Sequence, residues 1–374
     1  MSPAHIVGWG KYVPERVLTN ADLAQRVDTS DEWIITRTGV SERRIAADGE
    51  TTSSMAIQAS WEALAAAGAS PAELDLIIVA TATPDYIFPA TACLVQDALG
   101  ATHAAAFDLS AGCTGFVYAL GVAADMLSAK DGVGRTGAAL VIGAETLSRI
   151  TDWTDRATCV LFGDGAGAVV LRRDDSEGGV LSTVLGSDGS GGDLLSMPAG
   201  GSAEPSSHRT VSERRHFIHM RGREVFRFAA RAMPEATQRA LEQAGLTVGD
   251  LDLLIPHQAN ERILDAAAKA LDLPTELVFS NLARYGNTSA ASIPIALCEA
   301  VEEGLIQRDD LVVCVGFGAG LTWGATAVRW SVPLPGPPPS LGKTLRYRLL
   351  QVYAMVRSFV LRALRYLFSR GLSE

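Results

Sequence analysis

The sequence has 374 residues, 48% of them hydrophobic, and a net charge of −10, which is enough chain for two domains or for one domain with two halves. Its five scattered cysteines form no CxxC pair and follow no basic, apolar leader, so we predict a reducing, cytoplasmic setting with neither disulfides nor a metal site. Residues 331–374 carry +6 and the rest of the chain −16, and so acidic a body disfavours nucleic acid as a partner.

Alternating helices and apolar strands are predicted along residues 1–330. An alanine-rich helix at 51–67 precedes a buried strand at 76–80, and a helix at 222–243 precedes a strand at 253–255. Both units contain Ala-Leu-x-x-Ala-Gly followed by Leu-Asp-Leu, at an offset of 177 residues. This duplication predicts two related α/β halves, residues 1–173 and 174–330.

Cys113 lies at a predicted strand-to-helix turn between these units. The apolar residues 104–109 are typical of a buried strand, and a helical pattern begins at the cysteine. The unpaired N–H groups at a helix start favour a thiolate, the nucleophilic form of cysteine. The alternative is that Cys113 is simply one more small buried residue.

A glycine-rich segment, Phe-Gly-Asp-Gly-Ala-Gly-Ala at 162–168, follows in the chain. Strand-like residues rather than a helix come after it, so it lacks the context of a dinucleotide-binding loop. We predict a tight turn with close backbone packing.

His257 and Asn287 are the other candidates for chemistry. His257 follows the strand at 253–255, and Gly-Asn-Thr at 286–288 stands opposite Gly-Cys-Thr at 112–114 with an offset of 174. We therefore expect Cys113 and Asn287 at equivalent helix starts that converge on one cavity. Thiol, imidazole and amide suit acyl transfer through a thioester, with His257 and Asn287 donating hydrogen bonds to an oxyanion.

Other interpretations of these residues exist. His257 alone suits a core histidine, and Asn287 alone suits a helix cap. A papain-like protease also orders Cys, His and Asn in this way, but its Cys-Gly-x-Cys-Trp pattern is absent.

Six blocks in this order resemble the ketoacyl synthase III members of the thiolase superfamily, which start type II fatty acid synthesis. The blocks are DEWI with TRTG (31–39), AGCTGF (111–116), FGDGAGA (162–168), PHQAN (256–260), GNTSAAS (286–292) and FGAG with TWG (317–324). The resemblance covers residues 1–330. It implies a thiolase-like fold, in which two duplicated α/β halves stack in α-β-α-β-α layers.

The resemblance also implies a mechanism. Cys113 would take a starter acyl group from an acyl-CoA, and His257 and Asn287 would bind the thioester oxygen of malonyl-acyl-carrier-protein while it decarboxylates. The resulting carbanion would attack the acylated Cys113. The backbone N–H groups of Cys113 and Ala319 would hold the developing charge. The family usually has Gly at the latter place, so its donor requires a negative φ at Ala319.

Binding roles follow from the same resemblance, and no cofactor is implied. The residues that would hold coenzyme A are Trp33, Arg37, Arg156, Phe226 and Asn260. The residues that would dock the acidic carrier protein are Arg227, Arg231, Arg262 and Lys269, although a solvated helix face explains them too. Phe88 matches the residue that a partner subunit inserts to close the acyl pocket, so a homodimer is implied.

The family does not have the last segment of this chain. We predict a proline-rich linker at 331–340 and a basic amphipathic helical tail at 341–374. Arg357, Arg362 and Arg365 lie inside its one candidate window for a membrane span, which argues against spanning. A helix lying on an anionic membrane surface suits the pattern, and would make the protein peripheral to a membrane.

Several alternatives stay open at this stage. The tail helix would otherwise dock on another subunit or on a partner enzyme, or clasp the carrier protein. For the whole chain, the alternatives are a related condensing enzyme acting on longer or secondary-metabolite acyl chains, and a non-enzymatic scaffold that works through its tail.

Overall fold

The computed structural model describes residues 2–129, 136–332 and 341–370. Within these ranges the strands are β1 (Ala4–Tyr12), β2 (Val17–Thr19), β3 (Glu42–Arg44), β4 (Leu76–Ala80), β5 (Ala105–Leu109), β6 (Ala138–Thr146), β7 (Asp164–Arg173), β8 (Gly179–Ser187), β9 (Leu195–Ser196), β10 (His219–Met220), β11 (Leu253–Pro256), β12 (Leu311–Gly318) and β13 (Thr322–Arg329). The helices are α1 (Asn20–Ala24), α2 (Asp31–Thr38), α3 (Thr52–Ala67), α4 (Thr91–Leu99), α5 (Gly115–Ser128), α6 (His208–Ser212), α7 (Gly222–Gln243), α8 (Glu261–Leu271), α9 (Leu282–Tyr285), α10 (Ser292–Glu302) and α11 (Leu341–Arg370). The predicted linker, apart from its first two residues, and the last four residues of the predicted tail lie outside the described residues.

Two sheets with the same plan form the centre of the molecule. The first has the order β1-β7-β6-β4-β5 and the second the order β8-β13-β12-β11. In both sheets the pairing changes from antiparallel to parallel at the same place. In the first sheet β7 and β6 pair antiparallel and β6 and β4 pair parallel. In the second, β13 and β12 pair antiparallel and β12 and β11 pair parallel. Where β5 completes the first sheet, the second has an isolated parallel bridge between Leu254 and Val278.

Helices cover both faces of each sheet, which makes five layers. The strand residues alternate between two cores: Ile78 packs towards the central helices α5 and α10, while its neighbours Ile77 and Val79 pack towards α3 and α4. Helices α7 and α8 cover the outer face of the second sheet. Strands buried on both faces are apolar throughout, as β4 is. The layers confirm the predicted thiolase-like fold.

Strand β5 differs from its prediction. Within the described residues it pairs with β4 alone, and its residues are half-buried or exposed. The prediction of a buried strand before Cys113 was therefore wrong, because apolar residues on a free sheet edge have the same sequence pattern as residues in a sheet interior.

The tail forms one helix, α11, which packs on α3 and α4 of its own chain. The Tyr347 hydroxyl contacts the carbonyl oxygens of Leu64 and Ala69 at 2.9 and 3.1 Å. Ser358 Oγ and Arg362 Nη2 donate to Asp97 at 2.6 and 2.8 Å. Docking on the chain's own outer helices was not predicted. None of the described helices combines the length and apolarity that a membrane span requires.

Candidate active site

Cys113 lies in a 3₁₀ turn, Gly112–Thr114, that joins β5 to α5. Gly112 has φ +54°, a conformation that favours glycine. A Cβ on Gly318 would lie 2.5 Å from the Cys113 nitrogen, and one on Gly112 would lie 2.8 Å from the Ala319 nitrogen. These two glycines therefore let the turn pack directly against the end of β12.

Burial controls the charge state of the Cys113 thiol. Burial raises its pKa to about 12, and the nearby Glu145 adds to the effect, although hydrogen bonds from Ser289 and from the Cys113 backbone oppose it. The sequence-based expectation of a thiolate was therefore wrong for the resting protein. The stabilisation that the helix start gives to an anion is smaller here than the free-energy cost of removing the thiolate from water.

The second half contains a matching turn, Ser289–Ala291, which leads into α10. Its first residue, Ser289, also has a positive φ, +49°, and it lies 177 residues after Gly112. The counterpart of Cys113 is thus Ala290, and Asn287 lies three residues before that position. The predicted pairing of Cys113 with Asn287 at an offset of 174 was wrong, because the matching turns keep the 177-residue offset of the rest of the duplication.

The backbone of Asn287 is held by the segment before β7. Its N–H donates to Leu161 O at 2.8 Å, and its carbonyl accepts from Gly163 N at 3.0 Å. Its side-chain Oδ1 accepts from the N–H of Ser289 at 2.8 Å. Since that bond occupies the oxygen, the amide nitrogen Nδ2 is the group available as a donor.

His257 follows β11 and is almost fully buried. Its backbone N–H donates to Val315 O at 2.8 Å. Its ring lies edge-on to the ring of Phe317, with the centroids 5.4 Å apart. Burial lowers the pKa of the imidazole to about 3, so His257 is neutral near pH 7.

Ser292, the first residue of α10, fixes the tautomer of His257. Its Oγ lies 2.6 Å from His257 Nδ1 and accepts from Gln258 N at 3.3 Å. Among the described residues, Nδ1 is the one group to which this hydroxyl can give its proton, because its other contact is an N–H donor. We therefore assign Ser292 as the donor, which leaves the imidazole proton on Nε2. Ser292 was not singled out from the sequence, although a hydroxyl at a helix start beside a predicted catalytic asparagine is a usable signal.

One cavity of about 830 Å³ brings together Cys113, His257 and Asn287, which come from both halves of the chain. Phe317 and Gly318 at the end of β12 line it as well. The other predicted site residues that line the cavity are Trp33, Arg37, Phe226, Arg227, Asn260 and Arg262.

A tryptophan of the cavity lining lies within cation–π distance of two arginines. The guanidinium of Arg156 lies 4.8 Å from the centroid of the Trp33 ring, and that of Arg37 lies 5.6 Å from it. Asn260 caps α8 and donates from Nδ2 to Arg37 O at 3.0 Å, which ties α2 to α8. An aromatic face flanked by arginines suits a ligand with a flat ring and phosphate groups.

Other predicted residues lie outside the cavity lining. Ala319 directly follows Gly318, and its φ is not positive, which meets the condition for a backbone donor there. Arg231 and Lys269 are exposed on α7 and α8. Phe88 is 85% exposed on the loop before α4. No group of three or more potential metal ligands gathers within the parts of the chain that the structure describes.

The family model for 3-oxoacyl-[acyl-carrier-protein] synthase III matches residues 107–189. The model for the C-terminal part of the same family matches residues 241–330. A beta-ketoacyl-[acyl-carrier-protein] synthase III from Symbiobacterium thermophilum is 58% identical over 328 residues, which are 88% of this chain and 98% of that protein.

Solved structures agree with this match. The 3-oxoacyl-[acyl-carrier-protein] synthase III of Aquifex aeolicus is 50% identical, with a TM-score of 0.80 over 87% of this chain and all of that one. The priming beta-ketosynthase of the R1128 polyketide pathway is 38% identical, with a TM-score of 0.82 over 89% of this chain and 97% of that one.

The fold and the cavity define an acyltransferase of the thiolase-like condensing enzymes. Within that class, the chain belongs to the beta-ketoacyl-[acyl-carrier-protein] synthase III family.

Proposed function

We propose that the chain condenses an acyl-CoA starter with malonyl-acyl-carrier-protein, giving 3-oxoacyl-acyl-carrier-protein, CoA and CO₂, and that Cys113, His257 and Asn287 are its catalytic residues. The reaction initiates type II fatty acid synthesis. The observation that carries the assignment of residues is that these three side chains, from two halves of the chain, line one cavity.

The first step is acyl transfer to Cys113. The sulfur attacks the carbonyl carbon of the acyl-CoA thioester, the S–H proton leaves as the new bond forms, and the CoA sulfur departs as a thiol. Because the pKa of Cys113 is about 12, loss of the proton accompanies the attack. The backbone N–H groups of Cys113 and Ala319 stabilise the oxyanion.

The second step is decarboxylation and condensation. The malonyl thioester oxygen accepts hydrogen bonds from His257 Nε2 and Asn287 Nδ2, which stabilise the enolate formed when the C–C bond to the carboxylate breaks and CO₂ leaves. The enolate carbon attacks the acyl carbonyl, and the Cys113 sulfur departs and regains a proton. A neutral imidazole keeps its donor proton throughout, as this role requires.

Binding follows the shape of the cavity. Trp33 stacks on the adenine beside Arg37, and Arg156 completes the grip on the nucleotide, while Phe226 and Asn260 contact the pantetheine arm. A second set of residues docks the acidic carrier protein: Arg227, Arg231, Arg262 and Lys269. Support for this docking comes from Arg227 and Arg262, which line the cavity, and from the exposure of Arg231 and Lys269 on the same two helices.

The working unit in this proposal is a homodimer. The unpaired edge of β5 and the exposed apolar side chains of Tyr86, Ile87 and Phe88 lie in the segments that flank α4. Free apolar sheet edges of this kind are usually covered in the native assembly. Phe88 would then close the acyl pocket of the partner subunit.

The tail has a role outside the reaction, as an attachment to a membrane surface. In support, α11 leaves many large apolar side chains exposed and contains no acidic residue, which is the composition of an interfacial helix.

The catalytic assignment is tested by intact-protein mass spectrometry after incubation with a panel of acyl-CoAs. The wild-type protein should gain the mass of one acyl group, and Cys113→Ala should gain none. Cys314→Ala is the matched control, since that thiol is also buried but lies outside the cavity lining, and it should still be acylated. Equal labelling of Cys113→Ala and the wild type would disprove the role of Cys113.

A further inference from the structure

Helix α11 has two different faces. The face that packs on the body contains Tyr347, Ala354 and Ser358, which are buried. The opposite face, at the three- and four-residue spacing of a helical stripe, exposes large apolar side chains. This outward stripe consists of Leu345, Leu349, Val352, Val356 and Phe359, and Leu367 continues it two turns further along. An uncovered stripe this long implies an occupant.

Basic residues flank the outward stripe. At 3.6 residues per turn, Arg348 and Arg362 lie on one side of it and Arg346 and Arg357 on the other, between the stripe and the protein body. The long side chains of Arg346, Arg348 and Arg357 can therefore reach the level of lipid headgroups while the stripe enters the acyl region, whereas Arg362 bonds to Asp97 of the body.

Charge distinguishes lipid from protein as the occupant. Residues 341–370 contain seven basic residues and no acid, so pairing with a second copy of α11 would place like charges opposite each other. An anionic bilayer attracts each such residue by about 1 kcal/mol. Residues 1–330, at −16, are repelled by that surface, so attachment through any other face is disfavoured.

The docking contacts make this attachment rigid. Ser358 and Arg362 both bond to Asp97 of α4, and these hydrogen bonds lower the pKa of that carboxyl although its partial burial acts in the opposite direction. Tyr347 binds the carbonyl oxygens at the end of α3. The helix therefore does not act as a loose tether, and the body must take the orientation that α11 imposes.

The substrate entrance lies away from α11. The cavity is lined by residues of α2, α7 and α8 and by none of α3, α4 or α11. Helices α7 and α8 form the outer layer of the second sheet, and α11 lies outside the outer layer of the first. Two sheets and the central helix layer thus separate the outward stripe from α7 and α8.

The proposed dimer is compatible with this arrangement. If two β5 edges pair antiparallel in one continuous sheet, the two-fold axis is perpendicular to that sheet. Both copies of α11 then lie on the same side, and two attachments to one surface bind more strongly than either alone.

We infer that α11 holds the enzyme on an anionic bilayer in one orientation, with the outward stripe in the lipid and the substrate entrance facing the water. The inference rests on the proposed membrane role of the tail.

The test is flotation of the full chain with vesicles of phosphatidylcholine alone or with one-third phosphatidylglycerol. The protein should float with the anionic vesicles and at least tenfold less with the neutral ones. The double variant Val352→Asp/Val356→Asp, at positions 51% and 56% exposed, should lose flotation and keep its condensing rate in solution. Val211→Asp, at a position 65% exposed on α6, is the matched control and should float like the wild type.

Two other outcomes would overturn the inference. If the wild type stays unbound, or if the double variant floats equally well, the outward stripe does not contact lipid. If the double variant instead changes the mass of the particle in solution without lipid, the occupant is another protein chain.

Orientation is tested separately, by measuring condensation with saturating anionic vesicles. The rate with malonyl-acyl-carrier-protein should stay within twofold of the lipid-free rate. Flotation combined with inhibition that excess carrier protein relieves would disprove the orientation and leave the attachment standing. The condensation rate measured without lipid tests the proposed reaction independently of the attachment and of the orientation.

Discussion

The two matching turns at the centre of the molecule have the same backbone and different chemistry. Each begins with a residue at positive φ, Gly112 or Ser289, and leads into a central helix. The first turn carries the thiol of Cys113. The second has Ala290 at that place and contributes through its neighbours Asn287 and Ser292. A duplicated scaffold thus supplies two helix starts at one cavity, and in the proposed reaction the first forms the acyl bond while the second stabilises the enolate.

Asn287→Asp should separate the two steps most strongly. The aspartate keeps an acceptor for the Ser289 N–H but lacks the amide donor, and removal of one oxyanion donor costs about 10²–10³-fold in rate. Condensation should fall by that factor while acyl transfer from acyl-CoA stays near the wild-type rate. Stopped assays that measure the acyl-enzyme and the condensation product separately would show this, and equal losses in both would contradict the division between the turns.

Gly318→Ala should damage the first turn in a complementary way. Its Cβ would lie 2.5 Å from the Cys113 nitrogen, so the turn must shift, and acyl transfer should fall by about 10²-fold as the oxyanion donors are displaced. Gly316→Ala is the control, because its closest contact would be the flexible end of Ile293 at 3.3 Å. Equal rates of acylation for the two variants would argue against a steric limit at Gly318.

Ser292→Ala should have a smaller effect, confined to the second step. Without the hydroxyl, His257 Nδ1 loses its donor and the imidazole no longer prefers the Nε2–H tautomer, so condensation should fall by about tenfold and acylation should not change. Nitrogen NMR of labelled histidine distinguishes the tautomers, and an unchanged spectrum would show that Ser292 does not position the proton.

The smallest expected effect concerns stability in acid. The pKa of His257 is about 3 in the folded protein and about 6.5 when unfolded, so the unfolded state binds a proton first as the pH falls. The free energy of unfolding should therefore decrease by up to about 1.4 kcal/mol per pH unit between pH 6.5 and 3. Urea unfolding at pH 7 and pH 5 should show a smaller decrease for His257→Gln than for the wild type, and the same decrease in both would refute this source of acid sensitivity.

The order of the main elements and nine of the residues lining the cavity were predicted from the sequence, because the repeat and the six motif blocks depend on local patterns. Besides the role of Ser292, three features of the site and its sheet were not. Burial sets the pKa of Cys113, and burial depends on contacts between distant segments. The equivalence of Cys113 with Ala290 depends on backbone conformation, which the Gly-Asn-Thr match did not reveal. The edge position of β5 depends on which strands pair.

The docking of the tail was the largest feature missed. The sequence predicts an amphipathic helix but not which face docks: the outward stripe is the more apolar one, whereas the docked face contains Tyr347, Ala354 and Ser358. Tyr347 binds carbonyl oxygens and Ser358 binds a carboxylate on the body, while Ala354 lies close to Gly100. Hydrophobicity alone does not identify such a face.

Gly100 has a consequence for engineering. A Cβ there would already be in van der Waals contact with the Cβ of Ala354, at 3.4 Å, so a larger side chain would meet α11, and two of the polar contacts of α11 converge on the nearby Asp97. Both residues lie at the end of α4, so this end of the helix is part of the seat of the extension. Grafting residues 341–370 onto another synthase would therefore require at least this aspartate and this glycine at the end of α4.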